Sequence, residues 1–123
     1  MNQQAVGRSA PHLSAEDLAV LRENLHEQRL FRREQLRRLA EPVASRAREL
    51  RGQAASAHLE VGAKLAASAR MVLADVEAAL ARMDAGGYGI CGRCRRPVDR
   101  ERLLIVPQAH YCGRCGGTGD TAR

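Results

Sequence analysis

Four cysteines near the end of the chain are the residues best suited to chemistry. They form two pairs, Cys91 with Cys94 and Cys112 with Cys115, and no other cysteine occurs among the 123 residues. Two thiolates separated by two residues can reach one metal ion from a single tight turn, at about 2.3 Å each. Two such turns complete a tetrahedron and leave no open position for water or substrate. The spacing therefore predicts one structural zinc ion held by these four residues.

Three other uses of the cysteines compete with zinc: two disulfides, a redox-active pair and an iron–sulfur cluster. A redox pair is typical of a βαβ pattern, which the surrounding sequence does not show. Disulfides are rare in a reducing cytoplasm, and paired thiolates of this kind more often hold zinc than iron. His110 is a further candidate ligand, although a histidine at such a position is more often an ordinary surface residue.

The residues around the cysteines indicate how a metal site would be built. A glycine follows the first cysteine of each pair, at Gly92 and Gly113. We expect both glycines to relieve crowding in the turns and to allow positive φ, which glycine adopts without steric cost. The apolar run at residues 103–106, closed by Pro107, is expected to form a small core against the metal site and the end of the preceding helix.

The composition favours a helical binding protein over an enzyme. Hydrophobic residues make up 45% of the chain, charged residues 28% and aromatic residues only 2%. Ala, Leu, Arg and Glu are strong helix formers, whereas so few aromatic residues disfavour a surface that stacks bases. The serines lie in no nucleophile motif, and no helix is expected after the GGTG segment at 116–119. We therefore expect no catalysis.

Two amphipathic segments must position the cysteines. Ser14 is a favourable N-cap followed by acidic residues, and leucines at helical spacing continue to about residue 39. Pro42 predicts a break, because the residue before a proline avoids helical geometry. A second helix is predicted from about residue 59 to residue 85, with heptad spacing that begins at Leu65 and glycines after its end.

These segments predict a mainly α fold: a long antiparallel helical hairpin, or coiled coil, followed by a small four-cysteine zinc-finger module. The expected divisions are a flexible leader at 1–13, the hairpin at 14–85 with its tip near 43–58, the module at 86–115 and a flexible tail at 116–123. Self-association of the helices into an oligomeric bundle is the alternative architecture.

The net charge of +6 favours an acidic partner. Residues 86–123 carry seven basic and three acidic side chains, but four thiolates around Zn²⁺ would lower the charge of this region by about two. Direct DNA binding is therefore less expected, since affinity for DNA depends on neutralising phosphates. No run approaches the roughly 20 apolar residues of a membrane span, and the first residues lack an apolar signal segment. We expect a cytoplasmic protein without a membrane partner.

Residues 79–115 resemble the zinc-finger region of the DksA/TraR family of bacterial transcription regulators. The likeness rests on Ala-Leu at 79–80, Gly-Tyr-Gly-Ile-Cys-x2-Cys at 87–94, Arg-Leu at 102–103, Pro107, Ala109 and Cys-x2-Cys at 112–115. The resemblance implies a helical hairpin, one zinc ion and RNA polymerase as the partner. It further implies that the hairpin enters the secondary channel of the polymerase while the zinc module docks outside.

The predicted tip departs from the family pattern. Better-known members carry acidic residues there, often two aspartates, whereas this chain has Arg46, Arg48, Glu49 and Arg51, and no aspartate lies within residues 18–74. A basic tip reverses the sign of the Coulomb interaction with a catalytic magnesium ion. The three arginines are therefore candidate partner contacts, but the acidic-tip mechanism is not implied.

Two other functions also fit the residues. A zinc-stabilised adaptor would bind some other protein through the hairpin and would not associate with polymerase. A nucleic-acid-binding zinc module would use the arginines around the cysteines, with steep salt dependence and loss of binding when Arg95 and Arg96 are replaced. The plainer interpretation of those arginines is a solvated surface that partly neutralises the metal site.

Overall fold

The computed structural model describes residues 11–49 and 53–116, with the side chains of residues 11–40 and 57–116. It contains three named helices: α1 (Ala15–Glu49), α2 (Gln53–Ala85) and α3 (Arg100–Ile105). The only β pairing among the described residues is an isolated antiparallel bridge between Ile90 and Pro97. The mainly α class predicted from composition is confirmed.

The start of α1 is fixed by a reciprocal pair of hydrogen bonds. The backbone N–H of Asp17 donates to Ser14 Oγ at 2.9 Å, and the backbone N–H of Ser14 donates to Asp17 Oδ2 at 3.0 Å. Such a capping box satisfies two donors at the helix terminus. The predicted helix start at Ser14 is confirmed.

The predicted break at Pro42 is wrong, because α1 continues through it to Glu49. A proline within a helix removes one backbone donor and crowds the preceding turn, but the helical turns on either side of residue 42 are retained. Helix α2 begins at Gln53, earlier than the predicted start near residue 59. Residues 50–52, which join the two helices, lie outside the described part of the chain.

The predicted tip contacts also fall outside what the structure describes. Arg51 lies in the undescribed segment, and for Arg46 and Arg48 only the helical backbone is described. Their role as partner contacts stays a prediction.

The chain divides into two compact units, each containing parts of α1 and α2. We call residues 1–27 with 75–123 the cysteine unit, and residues 28–74 the helical unit. In the cysteine unit, Arg22 of α1 and Asp84 of α2 form a 3.1 Å ion pair. This contact places the beginning of α1 beside the end of α2.

The core of the cysteine unit is built from both helices and from the segments after α2. Its buried apolar residues are Leu13, Leu21, Leu25, Val76, Ala79, Leu80, Tyr88, Cys91, Val98 and Leu103. The predicted flexible leader therefore does not extend to residue 13: Leu13 is buried, and His12 Nε2 lies 2.7 Å from the carbonyl oxygen of Val98.

The helical unit has a thinner interior. Ala69 is buried on α2, whereas Leu65, which the heptad spacing placed at the seam, is 47% exposed. On α1 the half-buried Arg29 and Arg32 interrupt the leucine stripe. No described helix is long and apolar enough to cross a membrane.

Candidate metal centre

The four cysteine sulfurs form one cluster in the cysteine unit. The Sγ atoms of Cys91, Cys94, Cys112 and Cys115 all lie within 4.8 Å of one another, and those of Cys94 and Cys112 are 3.7 Å apart. A tetrahedron with metal–sulfur distances of about 2.3 Å has sulfur–sulfur edges of about 3.8 Å. All four cysteines are free thiols. The cluster thus has the dimensions of a four-thiolate metal site and contains no disulfide.

The first cysteine pair lies on a tight turn in which backbone N–H groups point at the sulfur atom of Cys91. The N–H groups of Arg93 and Cys94 lie 3.3 Å and 3.4 Å from Cys91 Sγ. The turn is closed by the N–H of Arg95, which donates to the Cys91 carbonyl at 3.0 Å, and by the N–H of Cys91, which donates to the Arg96 carbonyl at 2.8 Å. These bonds hold the Cys91 and Cys94 side chains on the same side of the turn.

Positive φ in this turn belongs to Arg95, with φ of 64°, and not to Gly92. Neither Gly92 nor Gly113 is among the residues with positive φ, so the positive φ predicted for these two glycines is wrong. The predicted relief of crowding is found at Gly92 but not at Gly113. The left-handed residue follows the second cysteine of the pair, where the chain reverses after Cys94.

The second pair opens a short helical stretch at residues 113–116. The N–H of Cys115 lies 3.4 Å from Cys112 Sγ, and the N–H of Gly116 donates to the Cys112 carbonyl at 2.6 Å. Both cysteine pairs therefore share one feature: the N–H of the second cysteine points at the sulfur of the first. Such bonds favour a thiolate over a thiol.

Gly92 is explained by the close approach of His110. A Cβ atom at position 92 would lie 2.6 Å from His110 Nε2, and the N–H of Gly92 donates to the His110 carbonyl at 2.8 Å. The His110 ring also packs against Tyr111, with ring centroids 5.0 Å apart. His110 is not part of the four-sulfur cluster. It contacts the first cysteine turn instead, a role that the spacing alone did not reveal.

The apolar run between the cysteine pairs contributes less core than expected. Leu103 is fully buried, but Leu104 is 37% and Ile105 79% exposed. The reason is that α3 turns by about 100° per residue, so consecutive residues cannot share one face. Tyr88 contributes to this core instead: it is buried, and its hydroxyl donates a hydrogen bond to the Pro107 carbonyl at 2.8 Å.

The thiols differ in acidity. Burial opposes ionisation of Cys91, but the N–H groups of Cys94, Cys112 and Arg93 outweigh it and lower the pKa of its thiol to about 6. The N–H of Cys115 likewise lowers the pKa of Cys112. Desolvation and the neighbouring thiols raise the pKa of Cys115 to about 12. Four thiolates this close repel one another, so a cation is needed for all to be charged. The cluster is positioned to bind a metal ion.

The arginines near the cysteines do not act as one surface. Arg102 Nε donates to the Tyr111 carbonyl at 3.0 Å, and Arg100 pairs with Asp17 at 3.1 Å. The hydrogen bond from Arg100 and that from the Ser14 N–H lower the pKa of Asp17 to about 2. Arg95 and Arg96 are exposed. Some of the basic residues therefore stabilise the unit, and others face solvent.

No protein-family model matches the chain. Among curated proteins it is 37% identical, over 43 residues, to an uncharacterized protein of Aquifex aeolicus (strain VF5). That alignment covers 35% of this chain and 30% of the relative, so the chain spans about a third of the length of the protein it matches.

Among solved structures, the chain is similar to transcription factor DksA2 from Pseudomonas aeruginosa. The TM-score is 0.76 at 17% sequence identity, and the match covers 99% of this chain and 98% of DksA2. The chain therefore has the fold of DksA2 and carries a four-cysteine cluster within it. The resemblance to DksA/TraR-type zinc-finger proteins is confirmed at the level of fold.

Proposed function

We propose that this chain is a zinc-binding transcription regulator that acts on RNA polymerase in the cytoplasm. The proposal is supported by one combined observation: the fold of a transcription factor over 99% of the chain, together with four sulfurs clustered at metal-binding distance. We infer a binding protein and not an enzyme.

One zinc ion held by Cys91, Cys94, Cys112 and Cys115 would be structural. Four sulfur donors in a tetrahedral cluster suit zinc, which favours thiolates and has no geometric preference from its d-electrons. When bound, zinc supplies charge compensation and a cross-link between the two cysteine turns. The chain itself supplies the N–H donors to Cys91 Sγ and Cys112 Sγ, which hold the ligands in place.

The paired helices of the helical unit would enter the secondary channel of the polymerase, and the zinc module at 86–115 would dock outside it. At the predicted tip, Arg46, Arg48 and Arg51 outnumber Glu49, so the net charge is positive and would repel a catalytic magnesium ion. The regulator would therefore act by occupying the channel or by excluding other factors that bind there. This mechanism differs from that of family members with acidic tips.

The lifetime of promoter complexes tests the function. Adding the zinc-loaded protein to polymerase from its own source should change the half-life of open complexes by about twofold or more, equivalent to about 0.4 kcal/mol. The double variant Arg48→Ala with Arg51→Ala should lose this effect and keep its helical content by circular dichroism. An unchanged half-life at saturating protein would contradict regulation of polymerase and favour an adaptor function.

A further inference from the structure

The helical unit contains an apolar groove between α1 and α2. Its volume is about 480 Å³, and it is lined by Leu36, Leu39 and Ala40 of α1 and by Leu59, Gly62, Ala63, Ala66 and Arg70 of α2. The side chains on α2 are mostly small, so the leucines of α1 are only half-buried. Leu59 at the groove is 37% exposed. The two helices therefore leave apolar surface that they do not cover themselves.

The same unit carries the whole net charge of the protein. Residues 28–74 contain ten basic and four acidic side chains, whereas the remainder contains ten of each. Arg70 lines the groove on α2. On α1, the exposed Arg33 lies three residues before Leu36 and seven residues before Ala40, on the same side of the helix as these groove residues. Both edges of the apolar groove are thus basic.

Arginines of α1 already stabilise one carboxylate, that of Glu34, which lies about 200° around the helix from the groove residue Leu36. Glu34 contacts Arg37 and Arg38, with its Oε2 atom 3.0 Å from Arg38 Nε. The hydrogen bonds from Arg37 and Arg38 lower the pKa of Glu34. Arginines of this helix therefore favour an ionised carboxylate beside them, which is the group that an acidic protein segment would bring.

We propose that this groove binds an acidic amphipathic helix of a partner protein. Apolar side chains at positions i, i+3, i+4 and i+7 of that helix would cover Leu36, Leu39 and Leu59, as in other helix-in-groove complexes. Its flanking carboxylates would contact Arg33 on one side and Arg70 on the other. The inference goes beyond polymerase binding and does not depend on it.

The charge and the lining of the groove disfavour two other occupants, a second copy of this chain and a nucleic acid. A second copy of this chain would bring one strongly basic unit against another, which opposes association. A nucleic acid would offer phosphates to the arginines but would leave the leucines of the groove uncovered. Phe31 is the one aromatic residue within residues 28–74, so the unit lacks a platform for stacking bases.

A designed peptide tests the proposal directly. The probe is a fluorescein-labelled helix of about 18 residues, or five turns, with leucines on one face and glutamates elsewhere. Binding to the zinc-loaded full chain is measured by fluorescence anisotropy at low salt. The acidic amphipathic peptide should bind with a micromolar Kd, and a scrambled peptide of equal composition should bind about tenfold more weakly. A peptide with lysine in place of glutamate should also bind about tenfold more weakly.

Two matched pairs of variants locate the site. Ala66→Glu places a carboxylate in the groove, whereas Ala67→Glu makes the same change at the next, exposed position outside it. Ala66→Glu should weaken peptide binding about tenfold, and Ala67→Glu less than about twofold. Arg70→Glu, which alters the rim and not the interior, should weaken binding in the same way, with the exposed Lys64→Glu as its control.

Four results would overturn the proposal. The first is an equal loss of peptide binding within each matched pair of variants, and the second is equal binding of the scrambled peptide. The third is displacement of the peptide by a single-stranded oligonucleotide with no effect of Ala66→Glu, and the fourth is a dimer in sedimentation that Ala66→Glu dissociates. The third result would indicate a general polyanion surface, and the fourth would indicate a second copy in the groove. Loss of polymerase binding with peptide binding intact would contradict the proposed function and leave this inference standing.

Discussion

The Tyr88 hydroxyl donates a hydrogen bond of 2.8 Å to the carbonyl oxygen of Pro107 inside the cysteine unit. Tyr88 is 2% exposed, and its burial raises the pKa of the phenol well above the usual value. The hydroxyl therefore stays protonated and acts as a donor. This bond joins the segment before the first cysteine pair to the segment before the second, without involving a metal.

Replacing Tyr88 with phenylalanine tests how much this bond contributes. Tyr88→Phe keeps the ring but leaves the Pro107 carbonyl without its partner, which should lower the free energy of unfolding by about 1–3 kcal/mol. Urea unfolding of the zinc-loaded protein, followed by circular dichroism, measures the change. An unchanged midpoint would show that another donor replaces the hydroxyl.

Gly92→Ala should destabilise the cysteine unit, because the new methyl group would lie 2.6 Å from the His110 ring. Overpacking of this kind costs about 1–3 kcal/mol. Gly113→Ala is the matched control: it follows the first cysteine of the other pair, and nothing lies within 4 Å of its Cβ position. Thermal unfolding of both variants measures the difference. Equal melting temperatures would refute the role given to the Gly92–His110 contact.

Loss of the N-cap at Ser14 should weaken the start of α1. Ser14→Ala removes the acceptor for the Asp17 N–H, and such changes cost about 0.5–2 kcal/mol. The same substitution at Ser68, an exposed position within α2, should be neutral or slightly stabilising, since alanine is the better helix former. Chemical unfolding of the two variants provides the comparison, and a similar loss in both would rule out a specific capping effect.

Cys91→Ser should release the metal. The purified protein should contain about one zinc ion per chain, and the variant less than about a tenth of that, because three thiolates and a hydroxyl bind zinc far more weakly. Arg93→Ala is the control, since only its backbone N–H points at Cys91 Sγ. Elemental analysis measures the stoichiometry, and unfolding should show that loss of zinc destabilises the cysteine unit. Full zinc content in Cys91→Ser would exclude the four-cysteine assignment.

The main features of the fold follow from local signals. The capping residues at Ser14 and the glycines after residue 85 indicate helix ends, and the structure agrees at both. Pro42 led to the wrong prediction of a helix break. The free-energy cost of a proline within a helix is local, and the other backbone hydrogen bonds of this 35-residue helix outweigh it. A preference of one residue does not decide the state of so long a helix.

The sequence predicted that the four cysteines come together, but it did not predict the contacts that support them. The spacing of the cysteines was enough to predict that the four sulfur atoms lie together. The packing of Gly92 against His110 joins residues distant in sequence, and no local pattern predicts it. Likewise Arg95 takes the positive φ expected of glycine. Backbone hydrogen bonds from the Arg95 N–H to the Cys91 carbonyl and from the Cys91 N–H to the Arg96 carbonyl accompany that conformation.

Competitive binding to core RNA polymerase tests the central claim most directly. The zinc-loaded protein is titrated against labelled polymerase from its own source, with and without a factor known to occupy the secondary channel. Saturable binding that the channel factor displaces is the predicted result, and Cys91→Ser should bind more weakly. Absence of binding at micromolar protein would contradict the claim, as would binding that the channel factor leaves unchanged.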